Sequence, residues 1–296
     1  MTQHQGVMAR TRLSDEERAA ALELAELCNR RDGLDLKLNP GMLQRRSGEH
    51  TDDFVYYADG KLVGFLGLYQ FKQSEIEASG MVHPDYRRQG IFSQLYQAAR
   101  QSCEQRGIPS ILWINERRSQ AGAAFVASTS AAYQFSEYVM DLDLAAEPAA
   151  PAHEIALRQA SPADQAEIVE LMRAGFGMEP EDSASFVTSQ LVDPAPDRYL
   201  WLAESDGRTV GVIGTAAEGP GAYIFGFVVP PELRGQGYGR SILLKTVAYL
   251  RGLGKAPISL EVATENARAL GLYQSCGFGE ASANDYFAQP LGVAAG

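Results

Sequence analysis

The sequence predicts an α/β (α+β) chain made of two tandem domains of one plan, residues 1–147 and 148–296. Three observations carry that expectation. HPDYRRQGIFSQL (83–95) and PPELRGQGYGRSI (230–242) align at a register of 147 residues, which sets Pro84 on Pro231, Arg87 on Arg234 and Gly90 on Gly237. Each half then repeats one order of patterns: helix, hairpin, strand, glycine loop, long helix, short apolar strand, helix. Between the halves, AAEPAAPAHE (145–154) is rich in Ala and Pro without an apolar period, as in a semi-rigid linker.

Taken in order, Ser14 caps an Ala/Leu/Glu helix running to Asn29, and Ser161-Pro162 opens ADQAEIVELMRAGF with proline at the first helical position. FVYYADGKLVGFLGLYQF and RYLWLAESDGRTVGVIGTAA place β-branched and aromatic residues around Asp59-Gly60 and Asp206-Gly207. Asp-Gly tolerates the positive φ that a two-residue hairpin turn demands. AYIFGFVV reads as the next strand of the second half and SILLKTVAYLRGL as its long helix. ILWI (111–114) and ISLEV (258–262) read as short apolar strands.

Charge and cysteine usage narrow the function classes. With 37 acidic against 26 basic side chains the chain carries −11, distributed as −4 over residues 1–147 and −7 over 148–296. Nucleic acid or an anionic membrane would be repelled; a cationic small molecule would not. Cys28, Cys103 and Cys276 form no CxxC pair, so neither a disulfide framework nor a metal site is expected, and a reducing cytoplasm suits the chain. MTQHQGVMAR lacks an apolar targeting core, and no apolar run reaches the roughly 18 residues of a membrane span, so a soluble protein is expected.

The most specific stretch is LRGQGYG (233–239), lying between a strand and a helix. Glycine lets backbone approach a ligand closely, and a helix start leaves about four amides without partners, so an anion such as phosphate is the natural occupant. A Walker A loop is excluded because Gly239-Arg240-Ser241 has no lysine at the required place. A dinucleotide fingerprint is disfavoured: the glycines stand as G-x-G-x-G, and Pro230 to Arg234 separate them from the strand end, although Glu261 lies where a ribose-binding acid could sit. A purely structural loop is the bland alternative.

Arg234-Gly235-Gln236-Gly237-Tyr238-Gly239 resembles the [QR]-x-x-G-x-[GA] loop of the GNAT (GCN5-related) N-acetyltransferases. ENARALGLYQSCGF (265–278) resembles the same family's N-x-x-A-x-x-L-Y-x-x-x-G-F segment, with Asn266, Ala269, Leu272, Tyr273, Gly277 and Phe278 in place. The resemblance implies a tandem member in which each domain is a mixed, mostly antiparallel sheet, splayed between strands four and five, with helices on both faces. It implies acetyl-CoA as cosubstrate and no metal. The diphosphate would be held by main-chain amides and cations of Arg234, Gly235, Gln236, Gly237, Tyr238, Gly239, Arg240 and Ser241, with Asn266 nearby. Val228 and Val229 would pair with pantetheine as a pseudo-strand.

The resemblance also implies the chemistry. Tyr273 would protonate the departing sulfur. The histidines are His4, His50, His83 and His153, the last in the linker, so the base would be a carboxylate or water, and Glu261, twelve residues before Tyr273, is the candidate. In the first half Val82, Arg87, Arg88, Gln89, Gly90 and Ile91 match the loop, but Phe92 replaces a small residue and Phe125 stands where Tyr273 would map. A degenerate copy is expected there, giving a monomer with an internal pseudo-dimer, or a homodimer. The acceptor would be a small-molecule or peptide amine, gripped by GFGMEPEDSASF (175–186), whose Glu179, Glu181 and Asp182 would favour a cationic one. A CoA-binding regulatory module without turnover is the alternative from another class.

Overall fold

The structure is a computed structural model that describes residues 5–192 and 196–292. The first half runs β1 (Gly6–Arg10), α1 (Asp15–Asp32), α2 (Pro40–Gln44), β2 (Asp53–Ala58), β3 (Lys61–Tyr69), β4 (Ile76–Val82), α3 (Ile91–Gln105), β5 (Ser110–Glu116), α4 (Gln120–Ala127) and β6 (Ala132–Leu142). The second runs β7 (Ala156–Gln159), α5 (Gln165–Phe176), α6 (Pro180–Leu191), β8 (Arg198–Ser205), β9 (Arg208–Glu218), β10 (Gly221–Val228), α7 (Tyr238–Gly252), β11 (Ile258–Ala263), α8 (Ala267–Ser275) and β12 (Phe278–Pro290). Single 3-10 turns at Pro84–Tyr86 and Pro231–Leu233 precede the two glycine loops. The two tandem α/β repeats expected from the sequence are present.

Local chemistry explains most boundaries. Ser14 accepts from the Glu17 amide while Glu17 reaches back to the Ser14 amide, and Gly33 stops α1 in the left-handed region at φ 69°. Both hairpins turn through two residues of positive φ, Asp59 and Gly60 at 50° and 75°, Asp206 and Gly207 at 50° and 71°. Each half begins one element earlier than expected, with the short strands β1 and β7, which pair antiparallel with β2 and β8. The helix after Ser161-Pro162 also starts later, because Pro162–Asp164 form a 3-10 turn before α5.

Contacts divide the chain into two compact units, Met1–Ser136 with Ser282–Gly296, and Glu137–Ala281. The difference from a division at 147/148 lies in two strands. β6 pairs antiparallel with β11, from Asp141↔Ser259 to Glu137↔Ala263. β12 pairs with β5, from Asn284↔Glu116 to Pro290↔Ser110. Each half's last strand therefore completes the unit that carries the other half's loop.

Within each unit the sheet is covered on both faces. In the second, Trp201 and Ala203 of β8 join Ile242, Leu243 and Leu250 of α7, while the alternate residues Leu200 and Leu202 join Ile168 and Met172 of α5 and Val187 of α6. Successive strand residues point to opposite faces, so an unbroken apolar run buries both. The first unit repeats this with Leu66 on the α3 side and Phe65 on the α1 side. Each fully buried aliphatic or aromatic side chain contributes roughly 1.5–3 kcal/mol, so both covered faces contribute to holding the sheet against its helices.

Residues 148–296 expressed alone lack β6 and leave the edge of β11 unpaired, a template for aggregation. Size-exclusion chromatography should find that fragment aggregated, and coexpression with residues 1–147 should return it to a soluble, monodisperse species. A monodisperse, folded 148–296 fragment on its own would contradict the strand assignment.

Candidate active site

The second unit's cleft begins where two parallel strands part. β10 and β11 share register at Ala222↔Ile258, Tyr223↔Ser259 and Ile224↔Leu260 and then pair no further. On its other side β10 stays paired to β9 through a bulge between Phe225 and Val228, where Gly226 has φ 57°. The bulge lies on the stretch of β10 that has parted from β11, and the gap is a cleft of about 640 Å³. The same three-pair register recurs between β4 and β5, from Ile76↔Ile111 to Ala78↔Trp113.

The glycine loop forms one wall. Gly235 and Gly237 have φ of 79° and 92°, values that favour glycine, and Gly235, Gly237 and Gly239 all line the cleft. Gln236 and Tyr238 alternate with them toward the opposite side, Tyr238 being buried in the α7 core. The three glycines therefore present backbone to the cleft: a Cβ at Gly235 or Gly239 would stand against the cleft residues Arg268 or Leu272, while one at Gly237 would point back at Ala152 and His153, and buried Tyr238 anchors the loop to α7. The first helical bond of α7 runs from the Ser241 amide to the Gly237 carbonyl at 3.1 Å, so the amides before it have no acceptor within the helix. Ser241 itself is buried on the anchored side, with its amide already used.

Cations border the loop. Arg234 is held by its Nε, which donates to the Val229 carbonyl at 2.9 Å, and it lines the cleft with Arg240. Arg268, which the motif reading passes over, lies against Gly235: a Cβ there would stand 3.3 Å from its Nη2. A free guanidinium beside an amide nest favours a phosphate-bearing ligand. Val228 and Val229 line the cleft at the parted edge. Asn266 lines it too, and its Oδ1 accepts from the Ala269 amide at 3.1 Å, capping α8.

α8 brings Tyr273 to the cleft wall. Its side chain is largely buried, packed edge-on against Phe278, and desolvation, with a smaller contribution from the Cys276 thiol, pushes its phenol up to about 12. Glu261 lines the same cleft from β11 and accepts a 2.8 Å hydrogen bond at Oε2 from the Tyr223 hydroxyl on β10. Tyr223 is a second residue the sequence reading misses, because it lies 38 positions from its partner. Toward the mouth, Gly175 and Phe176 of α5 and Phe225 and Phe227 of β10 give an apolar border, with the Arg198 guanidinium 3.7 Å over the Phe225 ring.

The segment expected to grip the acceptor is divided. Gly175 and Phe176 reach the cleft, whereas Glu179 is the N-cap of α6 and Glu181 and Asp182 form its first turn behind Pro180. Carboxylates are favoured at a helix N-terminus by its dipole, which accounts for these three acids without a ligand.

The sequence profile of the Acetyltransferase (GNAT) family matches residues 19–126 and again 166–278. The chain belongs to the GNAT acetyltransferase family. Among curated relatives, a mycothiol acetyltransferase of Stackebrandtia nassauensis is 27% identical over 289 residues, covering 88% of this chain and 91% of its own. An aminoglycoside N(6')-acetyltransferase type 1 of Stenotrophomonas maltophilia is 32% identical over 145 residues, 46% of this chain and 93% of its own. Among solved structures, a GCN5-related N-acetyltransferase of Sphaerobacter thermophilus superposes with TM-score 0.76 at 20% identity, over 96% of each chain. A tandem GNAT protein from the clavulanic acid biosynthesis pathway gives 0.72 at 20% identity, over 97% of this chain and 98% of its own. These two likenesses bear on fold alone. GNAT enzymes use acetyl-CoA, and among the described residues no helix is long and apolar enough to cross a membrane and no cluster of metal ligands occurs.

The first GNAT repeat keeps the loop but not the cleft. Arg88 takes φ 63° and Gly90 76°, matching Gly235 and Gly237, and Arg87 Nε donates to the Val82 carbonyl at 3.0 Å as Arg234 does to Val229. Arg87, however, is also bound through both terminal nitrogens to Asp32, at 3.1 and 2.6 Å, so its charge is already countered. Gln89 donates to the Asp85 carbonyl, and Ile91 is buried at the start of α3. Where the second repeat has Gly239, Leu260 and Leu272, the first has Phe92, Trp113 and Phe125 in mutual ring contact, Phe92–Phe125 at 4.6 Å and Trp113–Phe125 at 5.0 Å. The caps Ser119 and Asn266 keep this register, so buried Val126, not Phe125, stands where the second repeat has Tyr273, and it too has no proton to give. A larger groove of about 990 Å³ in this unit includes Arg10 and Tyr57 but none of residues 87–91, and its Arg10 is paired with Glu17.

The ring cluster predicts one acetyl-CoA per chain in calorimetric titration; two sites would contradict it. Gly239→Phe carries the first repeat's residue into the second, where even a Cβ would stand 3.1 Å from Leu272 Cδ2. Its affinity for acetyl-CoA should fall about tenfold or more, with thermal stability little changed.

Proposed function

We propose that the second repeat transfers the acetyl group of acetyl-CoA to a primary amine of a small molecule or peptide by direct attack. The observation that carries this reading is the convergence, in one cleft, of the bare glycine face, the Arg234 and Arg268 guanidiniums, the Tyr273 phenol and the Glu261 carboxylate. The loop amides and Arg234, Arg268 and Arg240 would take the diphosphate; the parted edge of β10 at Val228 and Val229 would take the pantetheine amides; the thioester would then lie toward Tyr273.

The amine nitrogen attacks the thioester carbonyl, a C–N bond forms and the C–S bond breaks. Glu261, directly or through a water, takes the proton the ammonium must lose, and its carboxylate is held in place by the Tyr223 hydroxyl. Tyr273 gives its proton to the departing sulfur, and the second proton, shed by the acylated nitrogen as the tetrahedral adduct collapses, returns to the Tyr273 oxygen through solvent. Burial serves this role: a phenol raised above its ordinary value stays protonated, and so remains a donor, throughout the physiological range. The relatives named for mycothiol and for aminoglycosides favour an acceptor of that size. The apolar border of Phe176, Phe225 and Phe227 would pack its less polar face.

Thiol release measured with a panel of amines tests the reading. Tyr273→Phe should lower kcat by about 10²- to 10³-fold with the KM for acetyl-CoA little changed. Binding of CoA with no turnover for any amine, or full activity of Tyr273→Phe, would favour a regulatory module instead.

The phenol's raised pKa fixes the alkaline side of the profile. The acid form is lost only as pH approaches about 12, so kcat should show no alkaline decline at the ordinary phenol value. A limb of apparent pKa near ~10 would mean that the donor is a solvated phenol, not buried Tyr273.

A further inference from the structure

We propose that His153, carried by the Ala/Pro-rich linker, is a positioning residue for the diphosphate loop: it pins one peptide plane so that an amide faces the cleft. The proposal rests on the reading of that loop as the CoA diphosphate site.

Three contacts fix this residue to the loop. Its Nε2 lies 2.8 Å from the Gln236 carbonyl oxygen. A carbonyl can only accept, so this nitrogen carries the proton. Its ring stacks on Tyr238, the first residue of α7, with centroids 3.9 Å apart and planes 9° from parallel. Its main-chain amide donates to Ser241 Oγ at 3.1 Å, and that hydroxyl lies 3.3 Å from the Gly237 carbonyl. The linker is also the loop's back wall, since a Cβ on Gly237 would meet Ala152 Cβ at 3.2 Å and His153 Nε2 at 3.6 Å.

Peptide geometry turns the first contact into a consequence for binding. A trans peptide unit is planar, with its C=O and N–H directed to opposite sides. Holding the Gln236 carbonyl on the linker side therefore aims the Gly237 N–H away from it, toward the face on which Gly235, Gly237 and Gly239 line the cleft. Glycines on both sides of Gln236, at φ 79° and 92°, make this plane easy to flip without an external hold. The flipped plane would present a carbonyl to the diphosphate in place of a donor. Preorganising a donor removes an ordering cost that the ligand would otherwise bear.

The test compares wild type, His153→Ala and His153→Gln in binding CoA, by calorimetry, and S-acetylpantetheine, which lacks the diphosphate, by ligand-observed NMR. His153→Ala should weaken CoA about three- to tenfold, leave S-acetylpantetheine unchanged, and be recovered largely by His153→Gln, which restores an N–H donor. Equal loss for both ligands would mean general structural damage and would overturn the proposal, as would unchanged CoA affinity or a Gln variant as weak as Ala. If wild type binds CoA no better than S-acetylpantetheine, the diphosphate reading itself fails, and the role of His153 falls with it.

Discussion

A parallel strand pair that separates after three residues is the constraint on which the second repeat's cleft depends. Beyond Ile224 and Leu260, β10 has no sheet partner on the β11 side, yet its other side stays bonded to β9 through the bulge. The parted edge is thus supported but unsatisfied, and an extended ligand bearing amides can complete it. The parting also lets Glu261 on β11 and Tyr273 on α8 look into the same cleft as the glycine loop that follows β10. The parted edge of β10, the glycine loop, Tyr273 and Glu261 all meet at this one divergence.

The two repeats separate what the backbone supplies from what the side chains supply. Both have the three-pair register, the 3-10 turn, the positive-φ loop and the arginine folded onto a strand-end carbonyl. The first repeat differs in that its cleft holds aromatic rings and its loop arginine is paired with Asp32. Packed rings of this kind contribute stability through area and edge-to-face contact, so a half freed from binding can convert its cleft into core. The strand exchange between β6 and β12 gives the first half a structural role whatever it binds: it supplies the strand that covers β11.

What was legible in the sequence was what local geometry enforces. Asp59-Gly60 and Asp206-Gly207 are the residues two-residue turns require, and Gly235 and Gly237 occupy left-handed positions, so hairpins and loop leave their mark on residue type. Tyr273 and Glu261 were likewise legible through the motif around α8 and its spacing from β11, and both line the cleft. Tyr223, Arg268 and His153 were not, since each acts through a partner remote in sequence and no local pattern encodes the meeting. β6 and β12 carry ordinary strand residues that do not specify which edge they join. Glu179, Glu181 and Asp182 read as an acidic lip because helix-start acids and ligand-binding acids are the same residue types; only the position of Pro180 distinguishes them.

The central claim is that the face bared by the second repeat's glycines holds the diphosphate of CoA. Selective glycine ¹⁵N labelling and titration with CoA address it residue by residue. The Gly235, Gly237 and Gly239 amide resonances should shift saturably while that of Gly90 stays in place. Saturable shifts at Gly90 with none at those three, or CoA binding that moves neither loop, would contradict it.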